Sequence, residues 1–152
     1  MNWKIKKFNE LTTIELYNVL KERINIFVVE QDCPYSECDD KDLEGYHIYC
    51  EDKGEIIAYA RILPRGIAYK ELSMGRILVR KDHRGENLGY DLMKRALIYI
   101  ETELDETEVK ISAQKYAEGF YNRLGFKTIS EVYLEDEIPH IKMLYKKQPP
   151  KQ

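Results

Sequence analysis

The chain is predicted to fold as a mixed α/β layer structure, a central sheet with helices packed on it. Two long segments carry apolar residues at three- and four-residue steps, the spacing of helix faces. Short runs rich in β-branched and aromatic residues fill most of the remainder, bounded by Gly, Pro, Asn and Asp. The resulting order is strand, helix, several strands, helix, strand, helix, strands, without the strict alternation of a doubly wound sheet. At 152 residues, 43% hydrophobic and 34% charged, the chain has the size and composition of one soluble domain with its own core.

"WKIKKF" near the N-terminus alternates as a first strand. From Thr12 to about Val29, the residues Tyr17, Leu20, Ile24, Phe27 and Val28 fall on one face of a predicted first helix. "CPYSECDDKDLEG" is polar and turn-rich and is expected to be a loop with a short helical turn. "YHIYCED" and "EIIAYARILP" flank Lys53-Gly54, a hairpin turn sequence. "ELSMGRILVR" is a further strand, where Gly75 signals a bulge or a close backbone approach. Leu88, Leu92, Met93, Ala96, Leu97 and Ile100 form the apolar face of a second helix ending near Glu101. "EVKISAQ" is the next strand, and "AEGFYNRLGF" a short helix that Gly125 terminates. Two last strands are expected around "KTISEVYL" and "HIKMLYK". With no internal linker or repeat, residues 1–147 are assigned to one domain and 148–152 to a polar C-terminal tail.

Composition narrows the function. Lys plus Arg number 24 against 27 Asp plus Glu, a net charge of −3, so nothing marks nucleic acid as the partner. No apolar run reaches the ~20 residues a membrane-spanning helix needs. The basic start "MNWKIKKFNEL" lacks an apolar core and cleavage site, so the protein is expected to be cytoplasmic. Three cysteines, Cys33, Cys38 and Cys50, argue against a disulfide framework. His47 lies near them, but no second ligand pair follows, so no metal is expected.

Two constellations carry chemistry. In "GRILVRKDHRGENLGYDLMKRAL" a strand leads through a glycine-containing loop into a helix. A helix N-terminus presents unpaired N–H groups and partial positive charge, suited to a diphosphate. Gly85 and Gly89 would allow close approach, with Arg80, Lys81 and Arg84 as cationic neighbours. Alone, the segment reads more readily as a turn at Gly85 and a cap at Asn87. The second constellation, "AQKYAEGFYNRLGF", lies one strand downstream and alters that balance.

Together the two segments resemble the GNAT superfamily of acyl-CoA N-acyltransferases. The family's Arg/Gln-x-x-Gly-x-Gly/Ala loop is matched at Arg84 and Gly89, with Asn87 in place of the middle glycine. Its Phe-Tyr-x-x-x-Gly-Phe signature is matched in full at Phe120, Tyr121, Gly125 and Phe126. The likeness is to the ElaA-type branch, through "IFVVEQDCPYSECDDKDLEGYH", the "ARILP" strand and "EDEIPHIKM". Glu137 stands where that branch usually has glycine.

The resemblance implies a GNAT fold, with a splayed mixed sheet of about six to seven strands and acyl-CoA lying in the split. It implies diphosphate binding by the loop from Arg84 through Gly85, Glu86, Asn87 and Leu88 to Gly89, with Tyr90 in the following helical turn. The pantetheine arm would run beside Ile77, Leu78 and Val79, and Asn122 would face the cofactor from the third helix. Asn87 need not spoil the loop, because Asn tolerates left-handed and cap conformations. Acetyl-CoA is then the cosubstrate and an unidentified primary amine the acceptor, in a monomer or homodimer.

Acyl transfer to an amine requires a neutral nucleophile, a stabilised oxyanion and a protonated leaving thiolate. An ammonium of pKa ~10 must lose a proton first, through a base or a water relay. The Val79 N–H is the candidate oxyanion donor. Tyr121, a phenol of reference pKa ~10, is the candidate acid to the thiolate, with Phe120 as core. Glu30 and His140 are the candidate bases, and Tyr35, Asp39, Asp42, His47, Arg61 and Glu71 are expected to line the acceptor cleft. The acidic run "ECDDKDLE" would attract a cationic acceptor. The rival readings are a catalytically silent CoA-binding or interaction module on the same fold and a nucleotide-binding domain. The latter lacks a Gly-Lys-Ser/Thr element.

Overall fold

The structure is a computed structural model that describes residues 1–148; of the expected polar tail, 149–152 lie outside the described residues. Eight strands form one sheet in the order β1 (Asn2–Lys7), β2 (Tyr46–Asp52), β3 (Glu55–Leu63), β4 (Ser73–Val79), β5 (Glu108–Gln114), β8 (Ile138–Lys146) and β6 (Phe126–Thr128), with β7 (Tyr133–Glu135) pairing with β8.

Strand β1 (Asn2–Lys7) precedes helix α1 (Thr13–Arg23). The helix starts at a capping box, with Glu15 N–H donating to Thr12 Oγ1 at 3.1 Å and Thr12 N–H to Glu15 Oε1 at 2.9 Å. Residues Ile24–Glu30 continue it as π-helix rather than α-helix. The face turned to the sheet is not the apolar stripe that the spacing predicts. Tyr17 is 69% and Ile24 41% exposed, whereas Glu15, Val19, Glu22 and Arg23 are buried. Partners elsewhere in the chain explain the inversion: Lys6 and Tyr49 bind Glu15, and two carboxylates bind Arg23. Sequence periodicity does not reveal such partners.

Strands β2 (Tyr46–Asp52) and β3 (Glu55–Leu63) form a hairpin whose turn residues Lys53 and Gly54 both have positive φ, 52° and 78°. That pair of left-handed residues matches the strand twist. Strand β4 (Ser73–Val79) runs antiparallel to β3 and slips register between Tyr59 and Arg61. Helix α2 (Leu88–Thr102) buries Leu88, Leu92, Met93, Ala96, Leu97 and Ile100, the face its period dictates. Each large apolar side chain so buried contributes roughly 1.5–3 kcal/mol.

Strand β5 (Glu108–Gln114) is parallel to β4 only at Ser73 with Lys110 and Met74 with Ile111. Beyond that point the two strands part, opening the sheet. Helix α3 (Glu118–Arg123) ends before Gly125, whose φ of 101° requires glycine. The remaining segment makes three strands rather than two: β6 (Phe126–Thr128), β7 (Tyr133–Glu135) and β8 (Ile138–Lys146). At the β7–β8 turn Asp136 and Glu137 have φ of 50° and 66°. Glu137 therefore holds the left-handed conformation for which its branch usually has glycine.

Two cores flank the sheet. Val19 and Ile26 pack with Tyr49, Ile56, Tyr59 and Leu78 on one face. The buried residues of α2 and α3 pack with Ile48, Ile57, Ile62, Ile111 and Met143 on the other.

Candidate active site

Where β4 and β5 separate, a cleft of about 700 Å³ opens between Gly75–Val79 and Ile111–Gln114. Phe27, Glu30 and Gln31 from the π-helical end of α1 form one wall, and Tyr116, Ala117 and Tyr121 another. Cys33, Tyr35, Asp39 and Arg61 line the far end with Glu135, Asp136, Ile138 and His140. Side chains bridge across it: Gln114 Nε2 donates to Gln31 Oε1 at 3.2 Å, and Cys33 Sγ lies 3.8 Å from Asp136 O.

The register of β4 decides which backbone groups face this cleft. Val79 lies opposite Ala58, while the next residue, Arg80, donates its N–H to Ile57 O at 2.8 Å. Hydrogen-bonding direction alternates along an antiparallel pair, so the Val79 N–H and C=O turn away from β3 toward the opening. Arg84 Nε occupies the Val79 carbonyl at 3.0 Å. The Val79 N–H is thus a donor on the open side of the strand.

Arg84 also forms a two-pronged pair with Glu30, Nη1 to Oε1 at 3.0 Å and Nη2 to Oε2 at 2.7 Å. Those bonds hold the Glu30 carboxyl below its ordinary range, which makes it a weaker proton acceptor than a free glutamate. Glu30 is at the cleft, but as the partner of a loop arginine.

Gly85, Glu86, Asn87, Leu88, Gly89 and Tyr90 lead from Arg84 into α2 and stand outside the cleft walls. Gly85 and Asn87 have φ of 88° and 62°, and Asn87 caps α2 through its conformation, without a side-chain bond. Asparagine is the residue after glycine that most readily takes this geometry. Glu86 is solvent-exposed and sits 3.3 Å from His83 Nδ1, while the Leu88 side chain belongs to the core. Gly89 differs from expectation. A Cβ there would meet Val79 Cγ2 at 3.5 Å and Phe120 Cζ at 3.6 Å, so the missing side chain faces protein rather than a ligand.

Tyr121 is 8% exposed, lines the cleft, and packs edge-on against Phe120 and Phe126 at 5.1 and 5.8 Å between centroids. Burial pushes its hydroxyl well above the usual phenol range, so it stays protonated. Asn122 is exposed and, like the loop residues from Gly85 to Tyr90, stands outside the cleft walls. His140 is buried on β8 opposite Gln114, with Nδ1 at 2.7 Å from Ile138 O and Nε2 at 3.3 Å from Glu135. A carbonyl can only accept, so Nδ1 carries a proton, and Nε2 faces the Glu135 carboxylate, which pairs with the ring once Nε2 is protonated as well.

The acidic run does not act as a free negative patch. Arg23, wholly buried, donates to Glu37 Oε1 at 2.6 Å and Asp42 Oδ1 at 2.7 Å. Arg61 binds Asp39 at 2.8 Å and Asp42 at 3.0 Å, and Arg76 reaches Glu37 at 3.0 Å. Burial raises the Asp39 carboxyl, but the Arg61 bonds outweigh it and hold the group at about 2. His47 and Asp42 lie behind the cleft, with His47 Nδ1 at 2.6 Å from Tyr59 Oη. Burial pushes the His47 ring below its ordinary pKa. Glu71 is outside the walls, 3.9 Å from Lys110. Gln31, Arg76, Gln114 and Tyr116 line the cleft without having been singled out from the sequence; a bulge next to Gly75 was the available signal for Arg76.

Among the described residues no cluster of three or more His, Cys, Asp or Glu side chains is placed to hold a metal, and the three cysteines are free thiols. No helix of the described residues is long and apolar enough to cross a membrane.

Comparison with known proteins agrees with this geometry. A crystal structure of an acyl-CoA N-acyltransferase from Pseudomonas aeruginosa superposes with a TM-score of 0.90 at 40% identity, covering 95% of this chain and 99% of that one. Escherichia coli ElaA superposes with a TM-score of 0.89 at 36% identity, covering 96% and 100%. A UPF0039 protein of Schizosaccharomyces pombe is 39% identical over 140 residues, which is 91% of this chain and 92% of the relative. Residues 18–147 match the family model described as an acetyltransferase (GNAT) domain. The chain therefore belongs to the GNAT acetyltransferase family.

Proposed function

We propose that the protein moves an acetyl group from acetyl-CoA directly to a primary amine within a ternary complex. One observation carries the reading: the outward Val79 N–H on β4 and the buried, protonated Tyr121 border the same cleft. The loop from Arg84 to Gly89 and the first turn of α2 supply N–H groups for the diphosphate. Ile77, Leu78 and Val79 form the stretch of β4 beside which the pantetheine arm runs.

His140 Nε2, when unprotonated, takes the proton that the ammonium must lose, directly or through water, and Glu135 pairs with the imidazolium so formed. As the C–N bond forms, the Val79 N–H holds the carbonyl oxygen that gains charge. The C–S bond then breaks, and Tyr121 gives its proton to the thiolate, to be reprotonated from solvent. Glu30 serves instead to fix Arg84 and the loop.

The test is a screen of acetyl-CoA consumption over amine classes, read as free thiol, followed by Tyr121→Phe on any active pair. Removal of a general acid lowers rates by about 10²–10⁴, and acetyl-CoA affinity should stay within about threefold. Unchanged turnover in Tyr121→Phe removes Tyr121 as the acid. Binding without turnover across the panel refutes the catalytic reading.

A further inference from the structure

The bulge in β4 is built on an unusual residue. Arg76 has φ of 51°, the left-handed region that L-residues other than Asn and Asp seldom adopt, and it lies where Arg61 pairs with Gly75 but Tyr59 with Leu78. Its guanidinium extends away from the strand to Glu37. Nε bonds Glu37 Oε1 at 3.0 Å, Nη2 lies 3.4 Å from both Glu37 O and Asp39 Oδ2, and the group stacks 5.5 Å over the Tyr35 ring. Glu37 and Asp39 are in turn fixed by the buried Arg23 and Arg61. A costly backbone conformation is thus tied to a rigid buried network.

We propose that Arg76 is a positioning residue: anchored by Glu37 and Asp39, it holds the β4 bulge and so aims the Val79 N–H into the cleft. The inference rests on the acyl-CoA reading of that cleft. Without the bulge, a one-residue slip reverses the direction of every N–H beyond it. The Val79 donor would then point into β3. The anchor offsets a left-handed penalty equivalent to roughly a five- to thirtyfold change in population.

This origin predicts an order of substitution that charge does not. Arg76→Gly and Arg76→Asn lose the ion pairs but accept the left-handed backbone, so acetyl-CoA binding should stay within about threefold of wild type. Arg76→Ala loses the anchor and keeps the penalty, and should bind acetyl-CoA about tenfold more weakly. Calorimetry on these folded variants is run with acetyl-CoA and with 3′-phospho-ADP, the cofactor head without its pantetheine arm. The head contacts the loop rather than the bulge, so its affinity should be equal in all of them. Equal acetyl-CoA affinity for Ala, Asn and Gly, or a loss in Gly and Asn as large as in Ala, overturns the proposal. So does a matching loss for 3′-phospho-ADP in Ala. If Ala does not fold, Asn against Arg76→Ser, which lacks the same conformational tolerance, makes the same comparison. Failure of the wild-type protein to bind acetyl-CoA would instead sink the acyltransferase reading.

Discussion

Replacing Arg23 with Met tests whether the ionic cluster behind the cleft determines the stability of this fold. Arg23 is fully buried and its guanidinium touches Glu37 at 2.6 Å and Asp42 at 2.7 Å. Methionine retains most of the packing volume and removes only the charge and its donors. The cluster then passes from three guanidiniums (Arg23, Arg61, Arg76) facing three carboxylates (Glu37, Asp39, Asp42) to two facing three. Breaking a buried pair costs about 3–5 kcal/mol. Each orphaned carboxylate here keeps one arginine, Asp42 with Arg61 at 3.0 Å and Glu37 with Arg76 at 3.0 Å, so the low end applies. About 3 kcal/mol in a domain of this size corresponds to a fall in Tm of ~6–12 °C. The cost should also depend on pH. In the wild type, despite burial, the arginines hold Asp42 below its ordinary pKa. A carboxyl depressed in the folded state stabilises above its unfolded pKa and ceases to do so as pH falls through the folded value. Arg23→Met raises that folded value, so the variant has less of this stabilisation to lose, and the gap narrows as pH falls through Asp42's ordinary value of 3.8 and below it. Urea unfolding at several pH values measures both quantities. A gap under ~1 kcal/mol at pH 7, or one that does not narrow below Asp42's ordinary value of 3.8, refutes the reasoning.

Two further outcomes follow from the loop. Gly89→Ala places its Cβ at ordinary contact distance from Val79 and Phe120 and should leave stability nearly unaltered, whereas Gly89→Val overpacks that site by ~1–3 kcal/mol. A loss of CoA affinity in the well-folded Ala variant, by calorimetry, would restore Gly89 as a phosphate-approach residue. Glu30→Gln frees Arg84 and removes a negative charge beside the loop, so acetyl-CoA should bind roughly two- to fivefold tighter at low salt, with the gain fading as salt rises. Turnover slowed about a hundredfold or more in that variant would return Glu30 to the role of base.

What the sequence makes legible follows the range of the interactions involved. Helix α2 and the β2–β3 hairpin could be placed from local pattern, because a 3.6-residue period and a Lys-Gly turn are written within a dozen residues. Tyr121 was reachable because the signature around it is local too. The buried face of α1 was not, and the reason is physical. Apart from Val19 its inward residues are charged, and Glu15 and Arg23 lie inside because Lys4, Lys6, Tyr49, Glu37 and Asp42 come from other elements to meet them. Hydrophobic periodicity assigns such a face to solvent. The same long-range pairing misdirects the expectation for "ECDDKDLE", since a carboxylate run looks like a cation trap until three arginines from α1, β3 and β4 neutralise it. Arg76 combines both difficulties, a bulge that only strand pairing defines and a charge whose partners lie 37 and 39 residues away. The branch-specific block is therefore explained more fully by the placement of the bulged strand than by contact with the acceptor. An acceptor should then be recognised at the mouth formed by Gln31, Cys33 and the β7–β8 turn, where side chains are not committed to the arginine cluster.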